Sequence, residues 1–140
     1  MKNLRILETS LYTNDLEQAE HFYTEVLGLK LFAREKDRHL FFKCGNQMLL
    51  IFNPSKTITE KEIAPHGAQG SVHVAFAVSD SELDQWAARL RKGGVSIEKE
   101  AHWPRGGRSI YFRDPAGNCL EFASPAIWGI EEDDRCDQGV

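Results

Sequence analysis

Four side chains able to do chemistry, Glu8, His73, Tyr111 and Glu121, fall in short stretches of this chain where apolar and other residues alternate. In Ser-Val-His-Val-Ala-Phe-Ala-Val-Ser-Asp, residues 71–80, the period of two places Val72, Val74, Phe76 and Val78 on one face and His73, Ala75 and Ala77 on the other. A strand covered on both sides carries bulky residues on both, so alanines around one imidazole mark the wall of a cleft. The alternative is a core histidine satisfied by a neighbour. Residues 4–12 alternate in the same way, with Leu7, Thr9 and Leu11 opposite Glu8, Ser10 and Tyr12, so a carboxylate takes the place of the histidine. Further on, Ile110 and Phe112 oppose Ser109, Tyr111 and Arg113, and Leu120 and Phe122 oppose Cys119, Glu121 and Ala123. Two carboxylates on one dry wall repel each other until a proton, an arginine or a metal ion neutralises them.

The elements that must position these groups form an internal repeat. Asn14 and Asp15 are N-cap types, and Leu16, Ala19, Phe22, Tyr23, Val26 and Leu27 follow helical spacing up to Gly28, a C′ residue. His21 falls on the outer, solvated face of that helix. Strands are expected at about 29–34, 39–44 and 47–52, the last two joined by a tight turn at Gly45-Asn46. Residues 54–69, with Pro54, Pro65 and Gly67, read as a linker in which His66 faces solvent. The order then recurs: the His73 strand, a helix with Leu83, Trp86, Ala87 and Leu90 inside and Gly93-Gly94 at its end, and strands at about 95–100, 109–113 and 119–123. The fold class expected is α+β: two βαβββ modules, about 4–53 and 70–124, whose curved mixed sheets carry helices on the convex face. One domain over 1–128 is followed by an acidic, flexible tail over 129–140.

The net charge is -4, and Glu131, Glu132, Asp133, Asp134 and Asp137 against Arg135 account for it. The nearly neutral body argues against nucleic acid or an anionic membrane as partner. Cys44, Cys119 and Cys136 have no metal-ligand spacing and read as free thiols of a reducing compartment. With no apolar leader or span, the expected location is cytoplasmic.

The run Asp15-Leu16-Glu17-Gln18-Ala19-Glu20-His21-Phe22-Tyr23-Thr24-Glu25-Val26-Leu27-Gly28-Leu29, the strand His73–Val78, and Tyr111-Phe112-Arg113-Asp114-Pro115-Ala116-Gly117-Asn118-Cys119-Leu120-Glu121-Phe122 resemble the vicinal oxygen chelate superfamily. It includes glyoxalase I, fosfomycin-resistance thiol transferases, extradiol dioxygenases and bleomycin-resistance binding proteins. The resemblance covers about residues 4–124. It implies metal ligands on the first and last strands of each module: Glu8, His73 and Glu121. The fourth place falls among Met48, Leu49, Leu50, Ile51 and Phe52, none of which binds a metal. That departs from four-ligand glyoxalase I and leaves a three-ligand set for one divalent ion per site, with Zn, Mn and Fe all open.

The resemblance further implies a small oxygen-chelating substrate, with lyase, thiol transferase and dioxygenase chemistry all open. It also implies a homodimer in which Glu8 of one chain faces His73 and Glu121 of the other. Tyr111 would orient or protonate a substrate oxygen, the alternative being an aromatic ring that fills the cup, and Glu8 has a second possible role as general base. The loop Arg105-Gly106-Gly107-Arg108 suits an anionic substrate group, with His102 and Trp103 at the rim; an exposed turn is the alternative. Arg38 and His39 are read as surface residues, and Trp128 covers the cleft, lies exposed or packs in a dimer. A metal-free sequestering protein of the bleomycin-resistance type is the competing function.

Overall fold

The computed structural model describes residues 4–132, which divide into two compact units, one running to Gln69 and one beginning at Gly70. The remainder of the acidic tail, with Cys136, lies outside the described residues.

In the first unit, strand β1 (Glu8–Tyr12) is followed by helix α1 (Leu16–His21) and strands β2 (Lys30–Glu35), β3 (His39–Cys44) and β4 (Gln47–Phe52). The sheet order is β1-β4-β3-β2, with β1 parallel to β4 and the other pairs antiparallel. Asp15 caps α1, its carboxylate accepting from the Gln18 N–H at 3.0 Å. After His21 the helix widens into a π turn over Phe22–Val26, where the Leu27 N–H donates to the Phe22 carbonyl at 3.2 Å. The spacing of apolar residues does not distinguish a π turn from continued α-helix, because Phe22, Tyr23, Val26 and Leu27 are buried in this geometry too. Gly28, at φ 73°, ends it. Tyr23 meets Phe42 at a ring separation of 5.6 Å, so Leu11, Leu40, Phe42, Leu49 and Ile51 form the helix side of the sheet.

The opposite face of this sheet differs from expectation at three residues. His66 is not solvent-facing: Tyr12 Oη and His66 Nδ1 are hydrogen-bonded at 2.7 Å, and the imidazole packs edge-on against Phe52 at 4.7 Å. Arg38 and His39 are not surface residues either, their side chains being only 19% and 14% exposed. Arg38 lies over the Phe52 ring and pairs with Glu60 at 3.3 Å, while His39 stacks on Phe41 at 3.9 Å. The segment expected to be a plain linker starts with a short helix, α2 (Pro54–Thr57). Asn53 caps it, and the Thr57 carbonyl accepts from the His66 N–H at 3.1 Å. The linker therefore delivers His66 to the sheet, which a run of turn-forming residues does not disclose.

In the second unit, β5 (His73–Ala77) leads through a 3₁₀ turn into α3 (Leu83–Lys92), then β6 (Lys99–His102), β7 (Arg108–Arg113) and β8 (Cys119–Ala123). Its order, β5-β8-β7-β6, repeats the first, again with one parallel pair, β5 and β8. Neither sheet closes into a barrel. Leu83, Ala87 and Leu90 face the sheet, and Trp86 meets Phe122 at 4.9 Å. Strand β6 starts four residues later than the apolar pattern of Val95 and Ile97 suggests, because its antiparallel pairing with β7 begins at Lys99↔Tyr111. Ser79 precedes the 3₁₀ turn without a side-chain cap; Glu132 Oε1 instead accepts from the Asp80 N–H at 2.9 Å.

Arg38 Nη1 lies 2.6 Å from His39 Nδ1, so the guanidinium donates into a neutral imidazole. Burial first and the Arg38 charge second hold the His39 pKa below its ordinary value, with Glu35 opposing. The unfolded chain takes up this proton near about 6.5 and the folded chain resists it, so stability falls as pH drops below that value. The melting temperature should therefore decline from about pH 7 toward 5, and His39→Gln, though lower-melting at neutral pH, should decline less.

Candidate metal-binding site

His73 opens β5, and its Cα partner on the parallel neighbour β8 is Cys119. The imidazole turns back on that neighbour, with Nδ1 2.8 Å from the Cys119 carbonyl oxygen. A carbonyl only accepts, so Nδ1 carries a proton, and the tautomer this selects for a neutral ring has its lone pair on Nε2. Two residues along β8, on the same face, stands Glu121. Its Oε2 lies 3.2 Å from His73 Nε2, and its side chain is 8% exposed against 50% for the histidine. Two acceptors at this separation repel unless a cation, a proton or a metal ion, lies on or between them.

Tyr111 sits directly across from Glu121 on β7, so its hydroxyl feels the carboxylate's charge. Its ring stands beside His73, with centroids 6.3 Å apart and planes inclined by 26°. Burial raises the Tyr111 pKa, and the charge of Glu121 adds to the rise while Ser109 opposes it. The phenol thus keeps its proton through the neutral range and serves as a donor. His73, Glu121 and Tyr111 are brought together as the alternation implied.

The other expected site residues are distributed differently. Glu8 opens β1 in the first unit, exposed, with Met48 as its partner on β4. The two parallel pairs correspond residue for residue: Glu8↔Met48 and Ser10↔Leu50 repeat His73↔Cys119 and Ala75↔Glu121. Leu50 therefore occupies the place that Glu121 holds in the second unit. Among the described residues no group of three or more His, Cys, Asp or Glu side chains converges on a metal-sized position. Arg108 lies on the helix side of β7, opposite in direction to Tyr111. Its guanidinium is held by Asp84 at 3.0 Å and by Asp80 and Glu100 at 3.5 Å, so it ties β7 to the start of α3. Arg105 and His102 are exposed, with His102 Nε2 3.9 Å from Glu100. Trp128 is 78% exposed.

Trp103 is held in place: its indole N–H donates to the buried Ser109 hydroxyl at 2.9 Å. The turn closes behind it through Gly106 and Gly107, at φ 102° and 86°, and a Cβ on Gly107 would lie 2.7 Å from the side chains of Ile127 and Ser124. The Cys119 carbonyl that sets the histidine tautomer left no trace in the residue pattern, since any residue at that position supplies one.

A βαβββ unit used twice, each giving an open four-stranded mixed sheet with a helix on one face, defines the class of fold. A model of the Glyoxalase/Bleomycin resistance protein/Dioxygenase superfamily matches residues 5–122, and the chain belongs to that superfamily. It is 31% identical over 109 residues to the metallothiol transferase FosB of Staphylococcus saprophyticus, covering 77% of this chain and 68% of the relative. It is 30% identical over 112 residues to the glutathione transferase FosA of Serratia marcescens, covering 80% and 74%. The crystal structure of a lactoylglutathione lyase from Agrobacterium tumefaciens superposes with a TM-score of 0.89 at 39% identity, covering 93% of this chain and 100% of that one. No helix among the described residues is long and apolar enough to cross a membrane.

Ser109→Ala should leave the Trp103 indole N–H without its acceptor and lower the unfolding free energy by about 1 kcal/mol or more in urea titration. In a Trp103→Phe background the same change should cost measurably less, the difference being the coupling of the pair.

Proposed function

We propose that this protein is a divalent-metal-dependent enzyme in which His73 and Glu121 hold the ion, with Glu8 of a second copy as third ligand. The observation that supports this is the meeting of His73 Nε2 and Glu121 Oε2 at 3.2 Å while Nδ1 is committed to a carbonyl. One imidazole with carboxylates is a donor set that fits Zn, Mn or Fe(II). A bound ion there would supply Lewis-acid stabilisation of negative charge developing on substrate oxygen.

The chain's own groups then have distinct tasks. Glu121 balances charge from a nearly dry position, and Tyr111 presents a proton at Oη beside it. Trp103 limits the width of the face at its far end, and Arg105 offers a cation for an anionic substituent. The substrate class favoured is a small molecule with adjacent oxygens, and the reaction favoured is thiol transfer or a related isomerisation. The metallothiol and glutathione transferases among the relatives support that choice. So does Leu50, which supplies no fourth ligand and leaves coordination positions open to substrate.

The test is metal analysis of untagged protein, with His73→Ala and Glu121→Gln prepared identically. Near-stoichiometric transition metal in the wild type, reduced to background in His73→Ala and strongly lowered in Glu121→Gln, is the expected result. Wild-type protein that stays metal-free after incubation with Zn, Mn and Fe(II) would refute the proposal and leave a metal-free binding protein as the reading. Given metal, addition of low-mass thiols to epoxides is the first activity to assay, and Tyr111→Phe should lower its rate by about 10²-fold or more.

A further inference from the structure

We infer that Asp114, Asn118 and Arg113 are positioning residues for His73, fixing the direction of Nε2 before any metal arrives; this rests on the metal reading above. His73 is the first residue of β5, and β5 is an edge strand. A side chain at the end of an edge strand sits where fraying is easiest, yet here the two residues before it are both tied down.

Val72 accepts from the Cys119 N–H at 2.8 Å through its carbonyl, and its own N–H donates to Asn118 Oδ1 at 3.3 Å. The side chain thus extends the β5–β8 ladder one bond beyond the end of the strand. Asn118 is 1% exposed and Asp114 6%. Asn118 Nδ2 donates to Asp114 Oδ2 at 2.9 Å, and the Asn118 N–H donates to Asp114 Oδ1 at 2.8 Å. Both oxygens of one buried carboxylate therefore hold the amide in the orientation that meets Val72.

Arg113 ties down the residue before that. Its Nη1 donates to Ser71 Oγ at 2.8 Å and to the Gly117 carbonyl at 3.2 Å, while Nε and Nη2 bind Glu98 at 2.7 and 3.2 Å. The carbonyl that receives His73 Nδ1–H belongs to Cys119, the residue immediately after Asn118. Donor and acceptor of the bond that sets the tautomer are thus braced by the same 113–118 segment. Side chains that orient a ligating histidine in this way are worth about 10- to 100-fold in metal affinity.

The experiment uses full-length apo-protein and Zn(II) alone, titrated in competition with a chromophoric chelator. The proteins are the wild type, Asn118→Ala, Arg113→Ala and His73→Ala, with urea unfolding and side-chain ¹⁵N spectra of His73 recorded alongside. Asn118→Ala should bind zinc about tenfold more weakly, and its His73 should show mixed Nδ1–H and Nε2–H tautomers while the protein remains folded. A folded Asn118→Ala with zinc affinity within about twofold of wild type overturns the inference, whatever the tautomer. If Asn118→Ala does not fold, Arg113→Ala carries the same test through an exposed side chain, with a loss of about threefold or more expected and none overturning it. The two readings separate at His73→Ala. Wild-type zinc affinity there removes the metal site itself, whereas loss there without loss in the other variants overturns the positioning role alone.

Discussion

A backbone carbonyl can only accept a hydrogen bond, and that limitation governs the polar face of the second unit. Because the Cys119 carbonyl takes His73 Nδ1–H, Nε2 is the nitrogen left facing Glu121, 3.2 Å away. Burying a carboxylate against a second acceptor is unfavourable by itself. The pair persists because strand register supplies it: a parallel β5–β8 ladder beginning at His73↔Cys119 leaves the imidazole and the carboxylate two residues apart on one face. The Tyr111 phenol stands across the strand from that carboxylate, whose charge adds to the burial that raises its pKa. An imidazole with one committed nitrogen facing a shielded carboxylate is a receptor for positive charge.

The two units spend the same architecture differently. At the far end of the face, the first unit has Tyr12, Phe52 and His39, and the residues in the corresponding register positions of the second are Ala77, Ala123 and Ser109. In the first unit aromatic rings fill that space themselves, with His66 and Arg38 laid against Phe52. In the second the floor is small, and Trp103 is brought in from a loop by its bond to Ser109. The nearer end diverges in chemistry, with Leu50 where the second unit has Glu121. Duplication preserves pairing geometry because backbone hydrogen bonds do not depend on side-chain type, so each unit is free to use its open face for packing or for ligation.

Much of this was legible in the residues. Alternation of two assigned His73, Tyr111 and Glu121 to one kind of face, and helical spacing assigned Leu83, Ala87 and Leu90 to the other, because burial imposes those periods directly on residue type. Gly28 and Gly45 marked their turns because only glycine enters their backbone conformations cheaply. The π turn over Phe22–Val26, the late start of β6 and the burial of Arg38, His39 and His66 were not legible. The π turn keeps the same residues buried as an α-helix would, and the others depend on partners distant in the chain: Tyr12 for His66, Phe52 for Arg38 and His39, Tyr111 for the start of β6.

The same division holds within the site. Residue types and local periodicity determined which groups are available and which way along each strand they face. Tertiary structure alone decided that Arg108 is consumed by Asp80, Asp84 and Glu100, that Leu50 stands in the position of Glu121, and that a carbonyl sets the His73 tautomer. The physical reason is that periodicity is a property of a single strand. Register, hydrogen-bond direction and ion pairing belong to pairs of strands, and a pair exists only once the chain has folded.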